Sequence, residues 1–292
     1  MNFLPKDINQ NSFLEKLREI NWEILKLLRS YSKNVNDKEE YQRNLKISEF
    51  SSGPVTEADI KVNTIIITEL LSFSSQWEIL SEENIKSSKE VDFKSDWVWI
   101  IDPLDGTKDF IQNTGEYAVQ MALSFKKEIV FGTVLIPSKN ELWLYQKGKG
   151  TWLELENELS GISPKLNKKE LSKMAVVISR NHCPSSLKDI LGRLNPFSII
   201  GMGSVGYKIA SILRGDADLY ISYSEPGKTT PKDWDMAAPA AIIRGLGGYL
   251  TNEKGEELKF LDNNKFSQSE IMIASLNTNH QNICQFIKSS IY

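Results

Sequence analysis

The sequence predicts a layered fold that joins an α+β half to an α/β half. Closely spaced apolar strands with short turns occupy residues 97–155, a pattern typical of an antiparallel sheet. Strands and helices alternate after residue 160, which favours an α/β arrangement. We therefore predict an N-terminal α+β domain over residues 1–160 and a C-terminal α/β domain over residues 161–292.

The helices are predicted from apolar residues spaced three and four positions apart, since these form one face of a helix. Ser12 and Glu15 fit a capping box at the first helix, and Thr56 has the residue type of an N-cap for the second. The polar residues 33–52 are interpreted as a mobile connection. The predicted helices span residues 12–31, 57–73, 184–194, 205–214, 235–246 and 278–288.

The strands are predicted from short apolar runs that are bounded by turn residues. Residues 137–140 and 147–150 are the clearest of these turns. The predicted strands span residues 77–80, 97–101, 117–125, 129–136, 141–145, 151–155, 175–179, 197–200, 217–222 and 271–275.

The composition excludes several classes of function. The 292-residue chain has a net charge of −3, which gives no support for binding nucleic acid through a broad basic face. Its two histidines exclude a His-rich zinc site, and its two cysteines are expected to be reduced. No apolar run approaches the ~20 residues of a membrane span, and no signal peptide is evident. We expect a cytoplasmic protein without stable membrane insertion, and peripheral membrane association stays open.

The segment from Trp99 to Thr107 carries the strongest chemical signal. Apolar residues lead into Asp102 and Asp105 in what we interpret as a proline-stiffened turn, and Gly106 follows directly. Mg²⁺ prefers carboxylate oxygens, and free amides at the start of a short helix suit a phosphate. The sequence therefore predicts a magnesium site that also holds a phosphate.

Other acidic residues are candidates to complete that site. Glu82 and Glu83 follow a predicted strand, whereas Asp59 and Asp235 lie at predicted helix starts. Each of these residues also has an explanation without a metal. Acidic pairs are common on surfaces, and aspartates often cap helices or lie in the first helical turn, where the helix dipole favours them. Two Mg²⁺ ions ~4 Å apart would need about four to five such carboxylates, with one of them bridging.

Four segments resemble, in the correct order, sequence blocks of the inositol monophosphatase superfamily: residues 55–59, 81–83, 102–107 and 234–238. Within that superfamily, residues 107–110 and 179–182 resemble the 3'(2'),5'-bisphosphate nucleotidase branch, of the CysQ type, as do residues 206–220. Gly206 stands where many members have serine, which puts one hydroxyl contact with the substrate in question.

The resemblance implies an αβαβα sandwich of the sugar-phosphatase type and a magnesium-dependent phosphatase. Two Mg²⁺ ions per site are implied, with Asp102 bridging them, and a third ion stays open. The implied metal ligands are four acidic side chains and one backbone carbonyl group: Glu82, Asp102, Leu104, Asp105 and Asp235.

The resemblance also implies hydrolysis of a phosphomonoester by direct attack of a metal-activated water. Glu82 and Thr107 would orient that water, and Asp59 would hydrogen-bond to Thr107. The residues implied to contact the substrate are Leu104, Asp105, Gly106, Thr107, Arg180, His182, Lys208 and Asp235.

The substrate that we expect is 3'-phosphoadenosine 5'-phosphate, hydrolysed to AMP and phosphate. Its second phosphate gives a reason for the basic groups of Arg180, His182 and Lys208, with Lys228 as a further candidate. Two alternatives stay open: an inositol monophosphatase or another sugar phosphatase with the same metal centre, and a non-catalytic, metal-dependent nucleotide-binding protein. Lithium sensitivity, a role in sulfur assimilation and a homodimer are further expectations from the resemblance.

Overall fold

The structure is a computed structural model, and it describes residues 4–5, 7–32, 38–50, 53–85, 92–156, 158–159, 164–262 and 266–291. Its helices are α1 (Gln10–Ser32), α2 (Lys38–Asn44), α3 (Glu57–Phe73), α4 (Glu82–Ile85), α5 (Thr107–Ile111), α6 (Ser185–Leu194), α7 (Val205–Arg214), α8 (Asp233–Arg244) and α9 (His280–Ser289). Its strands are β1 (Ser48–Phe50), β2 (Gly53–Val55), β3 (Glu78–Ser81), β4 (Trp97–Asp105), β5 (Ala118–Phe125), β6 (Glu128–Ile136), β7 (Glu141–Gln146), β8 (Gly150–Leu155), β9 (Glu158–Leu159), β10 (Ala175–Ser179), β11 (Ser198–Met202), β12 (Leu219–Tyr223), β13 (Tyr249–Thr251) and β14 (Ile271–Ser275).

Two sheets form the framework of the described residues. The first has the order β3-β4-β5-β6-β7-β8-β9, in which β3 is parallel to β4 and all later pairs are antiparallel. The second has the order β11-β10-β12-β14-β13, with β10 parallel to both neighbours and β14 antiparallel to both of its own. The predicted antiparallel meander and the predicted α/β half are therefore both present.

Three hydrophobic clusters show how these elements are layered. The first lies between α1, α3 and one face of the first sheet, and the second encloses α7 and α8 between the two sheets. The third packs α6 and α9 on the outer face of the second sheet. Because successive residues of a strand point to opposite faces, Trp99 of β4 lies in the first cluster and Ile100 in the second. The order is helix, sheet, helix, sheet, helix, which confirms the predicted αβαβα sandwich.

The structure corrects two local predictions near the N-terminus. Asn9, and not Ser12, caps α1, since its Oδ1 accepts hydrogen bonds from the backbone N of Asn11 (2.9 Å) and of Ser12 (3.2 Å). The prediction of a mobile connection was wrong for residues 38–50, which contain α2 and β1. Residues 33–37 and 51–52 lie outside the described part of the chain. This polar stretch is ordered because two of its side chains, Tyr41 and Leu45, are buried in the core.

The structure also bears on the expectations about membrane spans, cysteines and domains. Within the described ranges, no helix combines the length and the apolar character that a membrane span requires. Cys183 and Cys284 are free thiols, as expected. The helices of the middle layer, α7 and α8, contact both sheets. The division into two domains at residue 160 stays a prediction.

Candidate metal centre

An irregularity in β4 brings the first two carboxylates together. Asp102 pairs with Gln120 of β5 and Asp105 with Ala118, so three steps along β4 match two steps along β5. In a regular strand, residues three apart point to opposite faces, and the extra residue of a bulge removes this difference. The segment is therefore a bulged strand end rather than the turn that the sequence suggested, and it places both carboxylates in one site.

A third carboxylate reaches the same place from the second half of the chain. One oxygen each of Asp102, Asp105 and Asp235 lies within 4.8 Å of the others. Asp235 stands in the first turn of α8, where its Oδ2 accepts a hydrogen bond from the backbone N of Lys232 (2.5 Å). Such a group of oxygen ligands, two of them buried and that of Asp235 half-buried, fits a hard divalent cation.

The electrostatics of the site agree with that fit. Burial raises the pKa of Asp102 well above its usual range, and the charges of Glu82, Asp105 and Asp235 raise it further. Burial, followed by the charges of Asp105 and Glu82, raises the pKa of Asp235 to about 8. Glu82, at the start of α4, is therefore close enough to act on both. These four mutually repelling carboxylates, of which Asp102 and Asp105 are buried and Glu82 and Asp235 half-buried, are stabilised when a cation neutralises them.

The orientation of Asp105 is set by three donors. Its Oδ2 accepts hydrogen bonds from Gln120 Nε2 (2.6 Å), from Ser204 Oγ (2.6 Å) and from the backbone N of Gly206 (2.9 Å). Burial raises the pKa of this carboxyl, against the opposing charge of Lys208 and the hydrogen bonds from Ser204 and Gly206. Gln120 and Ser204 were missed by sequence reasoning, although a glutamine within the apolar strand β5 was an available signal.

The packing around Gly206 leaves no room for a side chain. A Cβ at this position would lie 2.9 Å from Ala118 Cβ and 3.0 Å from Val134 Cγ1, so a serine does not fit without movement. The hydroxyl group next to Asp105 comes from Ser204 instead, and Gly206 contributes its amide.

Thr107 and Asp59 make the contact that the resemblance implied. Thr107 Oγ1 lies 3.1 Å from Asp59 Oδ1 and 3.1 Å from the Leu104 carbonyl oxygen. The other oxygen of Asp59 accepts hydrogen bonds from the backbone N (2.8 Å) and the Oγ1 (2.6 Å) of Thr56. Thr56 Oγ1 in turn accepts from the backbone N of Ala58 (3.1 Å) and of Asp59 (3.4 Å), which confirms Thr56 as the N-cap of α3. Burial raises the pKa of Asp59 to about 6, and the charge of Glu83 adds to this effect.

Gly106 separates β4 from α5 in a conformation that favours glycine. Its φ is 91°, in the left-handed region, and it occupies the N-cap of α5. A Cβ there would lie 3.1 Å from the Glu116 carbonyl oxygen and 3.2 Å from Ser204 Cβ. The backbone can thus turn sharply after Asp105. Asp105 stays beside Asp102 and Asp235, and Thr107 reaches Asp59.

The predicted basic residues differ in their surroundings. Arg180 donates to the carboxylates of Asp109 and Glu116. Lys208 is buried and donates to the Gly203 carbonyl oxygen (3.2 Å); burial lowers its pKa to about 8, against the charges of nearby aspartates.

His182 and Lys228 are exposed. Partial burial of the His182 ring lowers its pKa, and the charges of Lys108 and Lys208 lower it further. Lys108, an exposed residue of α5 that sequence reasoning did not select, therefore lies near His182 and next to Thr107 in the chain.

Comparisons with known proteins show which sequences this chain is similar to. The family model for the inositol monophosphatase family matches residues 9–292 of this sequence. The 3'(2'),5'-bisphosphate nucleotidase CysQ of Escherichia coli (strain K12) is 31% identical over 220 residues, which are 75% of this chain and 85% of that protein. The human 3'(2'),5'-bisphosphate nucleotidase 1 is 26% identical over 209 residues, 69% of this chain and 65% of that protein.

Solved structures support the fold. The extragenic suppressor protein suhB of Bartonella henselae superposes with a TM-score of 0.74, covering 96% of this chain and 98% of its own, at 22% identity. A similarity at this level of identity shows the architecture alone.

Proposed function

Since the chain belongs to the inositol monophosphatase family, we propose that it is a 3'(2'),5'-bisphosphate nucleotidase that hydrolyses 3'-phosphoadenosine 5'-phosphate to AMP and phosphate. Enzymes of this family are magnesium-dependent phosphatases. The finer assignment is supported by the nucleotidase relatives, of which the one from Escherichia coli is 31% identical.

The single observation that carries the proposal is the group of Asp102, Asp105 and Asp235 oxygens within 4.8 Å of one another. We propose that Glu82, Asp102 and the Leu104 carbonyl group hold one Mg²⁺, and that Asp102, Asp105 and Asp235 hold a second. Bound Mg²⁺ would lower the pKa of water and neutralise charge on the transferred phosphoryl group.

Thr107 and Asp59 would position the attacking water. With its hydroxyl proton directed to Asp59 Oδ1 or to the Leu104 carbonyl oxygen, Thr107 Oγ1 can accept a hydrogen bond from that water. This leaves a lone pair of the water free for the phosphorus atom. Glu82 would accept the second hydrogen bond, and the amides of Gly106 and Thr107 would hold the phosphate oxygens.

A second phosphate of the substrate would meet positive charge near the same site. Lys108 and His182 are exposed and lie close enough that the lysine lowers the pKa of the histidine. An anion placed between them would relieve this repulsion and form charge-assisted hydrogen bonds. Lys208 is buried, and its charge also lowers the pKa of His182, so it would contribute through its charge.

Phosphate release from a panel of substrates tests the proposal. The panel contains 3'-phosphoadenosine 5'-phosphate, its sulfated relative, inositol 1-phosphate and fructose 1,6-bisphosphate, each with saturating Mg²⁺. We expect the highest kcat/KM for the adenosine bisphosphate. A higher value for inositol 1-phosphate or the fructose bisphosphate would instead assign a sugar phosphatase, and nucleotide binding without any phosphate release would assign a non-catalytic protein.

Lys108→Ala sharpens the test, with Lys188→Ala, an exposed lysine of α6, as the matched control. Loss of a charged hydrogen bond of about 1.5–3 kcal/mol would lower kcat/KM for the adenosine bisphosphate by roughly 10- to 150-fold. We expect a much smaller effect on inositol 1-phosphate, which lacks the second phosphate. Equal losses on both substrates would contradict the role of Lys108.

A further inference from the structure

We propose that Arg180 is a positioning residue that holds the two halves of the chain in register at the metal centre. The inference rests on the proposed metal site, and it assigns to Arg180 a task other than binding the substrate. Arg180 directly follows β10 in the second sheet, whereas its two acidic partners, Asp109 and Glu116, belong to α5 and to the loop between α5 and β5.

The guanidinium group of Arg180 joins two carboxylates at once. Its Nη1 donates to Asp109 Oδ1, and its Nη2 donates to Glu116 Oε2 and to the Gly201 carbonyl oxygen (3.2 Å). The Asp109 side chain is 3% exposed, so its charge depends on these donors. Thr114 Oγ1 (3.1 Å) and Asn181 Nδ2 (3.4 Å) complete the surroundings of the Asp109 carboxylate.

The acidic pair in turn holds the loop between β11 and α7. Glu116 Oε2 accepts a hydrogen bond from the backbone N of Gly203 (2.8 Å). A Cβ on Gly203 would lie 2.6 Å from the Glu116 carbonyl oxygen and closer still to the Asp109 carboxylate. The backbone of this loop is therefore packed directly against both partners of Arg180.

That loop ends at the donors that orient Asp105. Ser204 follows Gly203, and its Oγ donates to Asp105 Oδ2, as does the backbone N of Gly206. Direct contacts thus run from Arg180 through Glu116 and Gly203 to a carboxylate of the metal site. If the ion pairs are removed, the loop loses one of its fixed points, and the donors to Asp105 lose their alignment.

The chemistry of arginine suits this task. Its planar group presents several donors in a fixed fork, so that one side chain can serve two carboxylates, whereas lysine offers a single point of charge. Both terminal nitrogens of Arg180 are already engaged by carboxylates or by the Gly201 carbonyl group. A substrate phosphate placed there would meet the negative charges of Asp109 and Glu116, which argues for a positioning role.

Direct cation binding tests the inference without any substrate. Mn²⁺ binding to Arg180→Gln, Arg180→Lys and the wild type is measured by electron paramagnetic resonance, with Arg193→Gln, an exposed arginine of α6, as the control. We expect affinity to fall about tenfold in Arg180→Gln, as when hydrogen-bond partners of metal ligands are lost, and less in Arg180→Lys. Arg193→Gln should bind as the wild type does.

Steady-state kinetics separate this role from substrate binding. Arg180→Gln should need more Mg²⁺ for half-maximal rate, while its substrate KM at saturating Mg²⁺ stays within about twofold of the wild type. An unchanged Mn²⁺ affinity in the folded variant, or a raised KM with normal Mn²⁺ affinity, would overturn the inference.

Glu116→Gln keeps the inference falsifiable if Arg180→Gln does not fold. Its side-chain oxygen can still accept from Gly203, but it has lost the charge that pairs with Arg180. We expect an intermediate loss of Mn²⁺ affinity, and an affinity equal to that of the wild type would contradict the role. A wild type that binds no Mn²⁺ would remove the proposed metal centre itself, whereas normal wild-type binding with unaffected variants would remove only the role of Arg180.

Discussion

Replacing Gly206 by alanine tests how closely α7 packs behind the metal centre. The added methyl group would lie 2.9 Å from Ala118 Cβ, 3.0 Å from Val134 Cγ1 and 3.4 Å from Gln120 Cδ. The first two neighbours belong to β5 and β6 in the middle of the first sheet, where the surrounding core allows little movement. The substitution therefore has to displace α7 or the sheet.

The magnitude follows from two opposing effects. Overpacking of a well-filled core costs about 1–3 kcal/mol. The better helix propensity of alanine returns about 0.5–1 kcal/mol. We expect a net loss of roughly 1–2 kcal/mol in the free energy of unfolding, and a weaker Mg²⁺ affinity because the Gly206 amide moves away from Asp105 Oδ2.

Gly192→Ala is the matched control, since Gly192 lies within α6 and no heavy atom would come within 4 Å of its Cβ. Urea unfolding monitored by circular dichroism should show this variant to be more stable by about 0.5–1 kcal/mol. Calorimetric titration with Mg²⁺ should show unchanged affinity for it. If Gly206→Ala is as stable as the wild type and binds Mg²⁺ equally well, the packing argument is refuted.

Three further changes address the site itself. Asp102→Asn should abolish phosphate release even in saturating Mg²⁺, because it removes the carboxylate that both ions would share; a rate near that of the wild type would disprove the assignment. Thr107→Val should lower kcat by about 10²-fold with little change in KM, whereas Thr107→Ser should retain most activity; equal rates for both would exclude a role of the hydroxyl group. The metal-free protein should lose stability as the pH rises from 4 towards 8, because the folded-state pKa values of Asp102 and Asp235 (the latter about 8) exceed the usual 3.8. The gain in melting temperature on adding Mg²⁺ should therefore grow between pH 6 and pH 8, and a gain independent of pH would contradict this explanation.

The sequence by itself determined most of the elements and the identity of the acidic residues. Local spacing encodes local structure, so α3 from Glu57 to Phe73 and β10 from Ala175 to Ser179 have the bounds that were predicted. The segment from Asp102 to Thr107 showed the kind of chemistry, because its residue types and their order are local properties. The resemblance assigned roles to Asp235 and Asp59, and the family match over residues 9–292 confirms the family that it indicated.

Only the tertiary structure decided how distant residues meet. Asp235 joins Asp102 because α8 packs between the two sheets, and no local pattern records that distance. The burial of Tyr41 and Leu45 orders a segment whose own composition favours a loop. Arg180 was predicted from the sequence to contact the substrate, yet the fold sets it against two carboxylates from the other half. Contacts of this kind depend on the packing of whole layers, and the chain acquires them only when those layers are assembled.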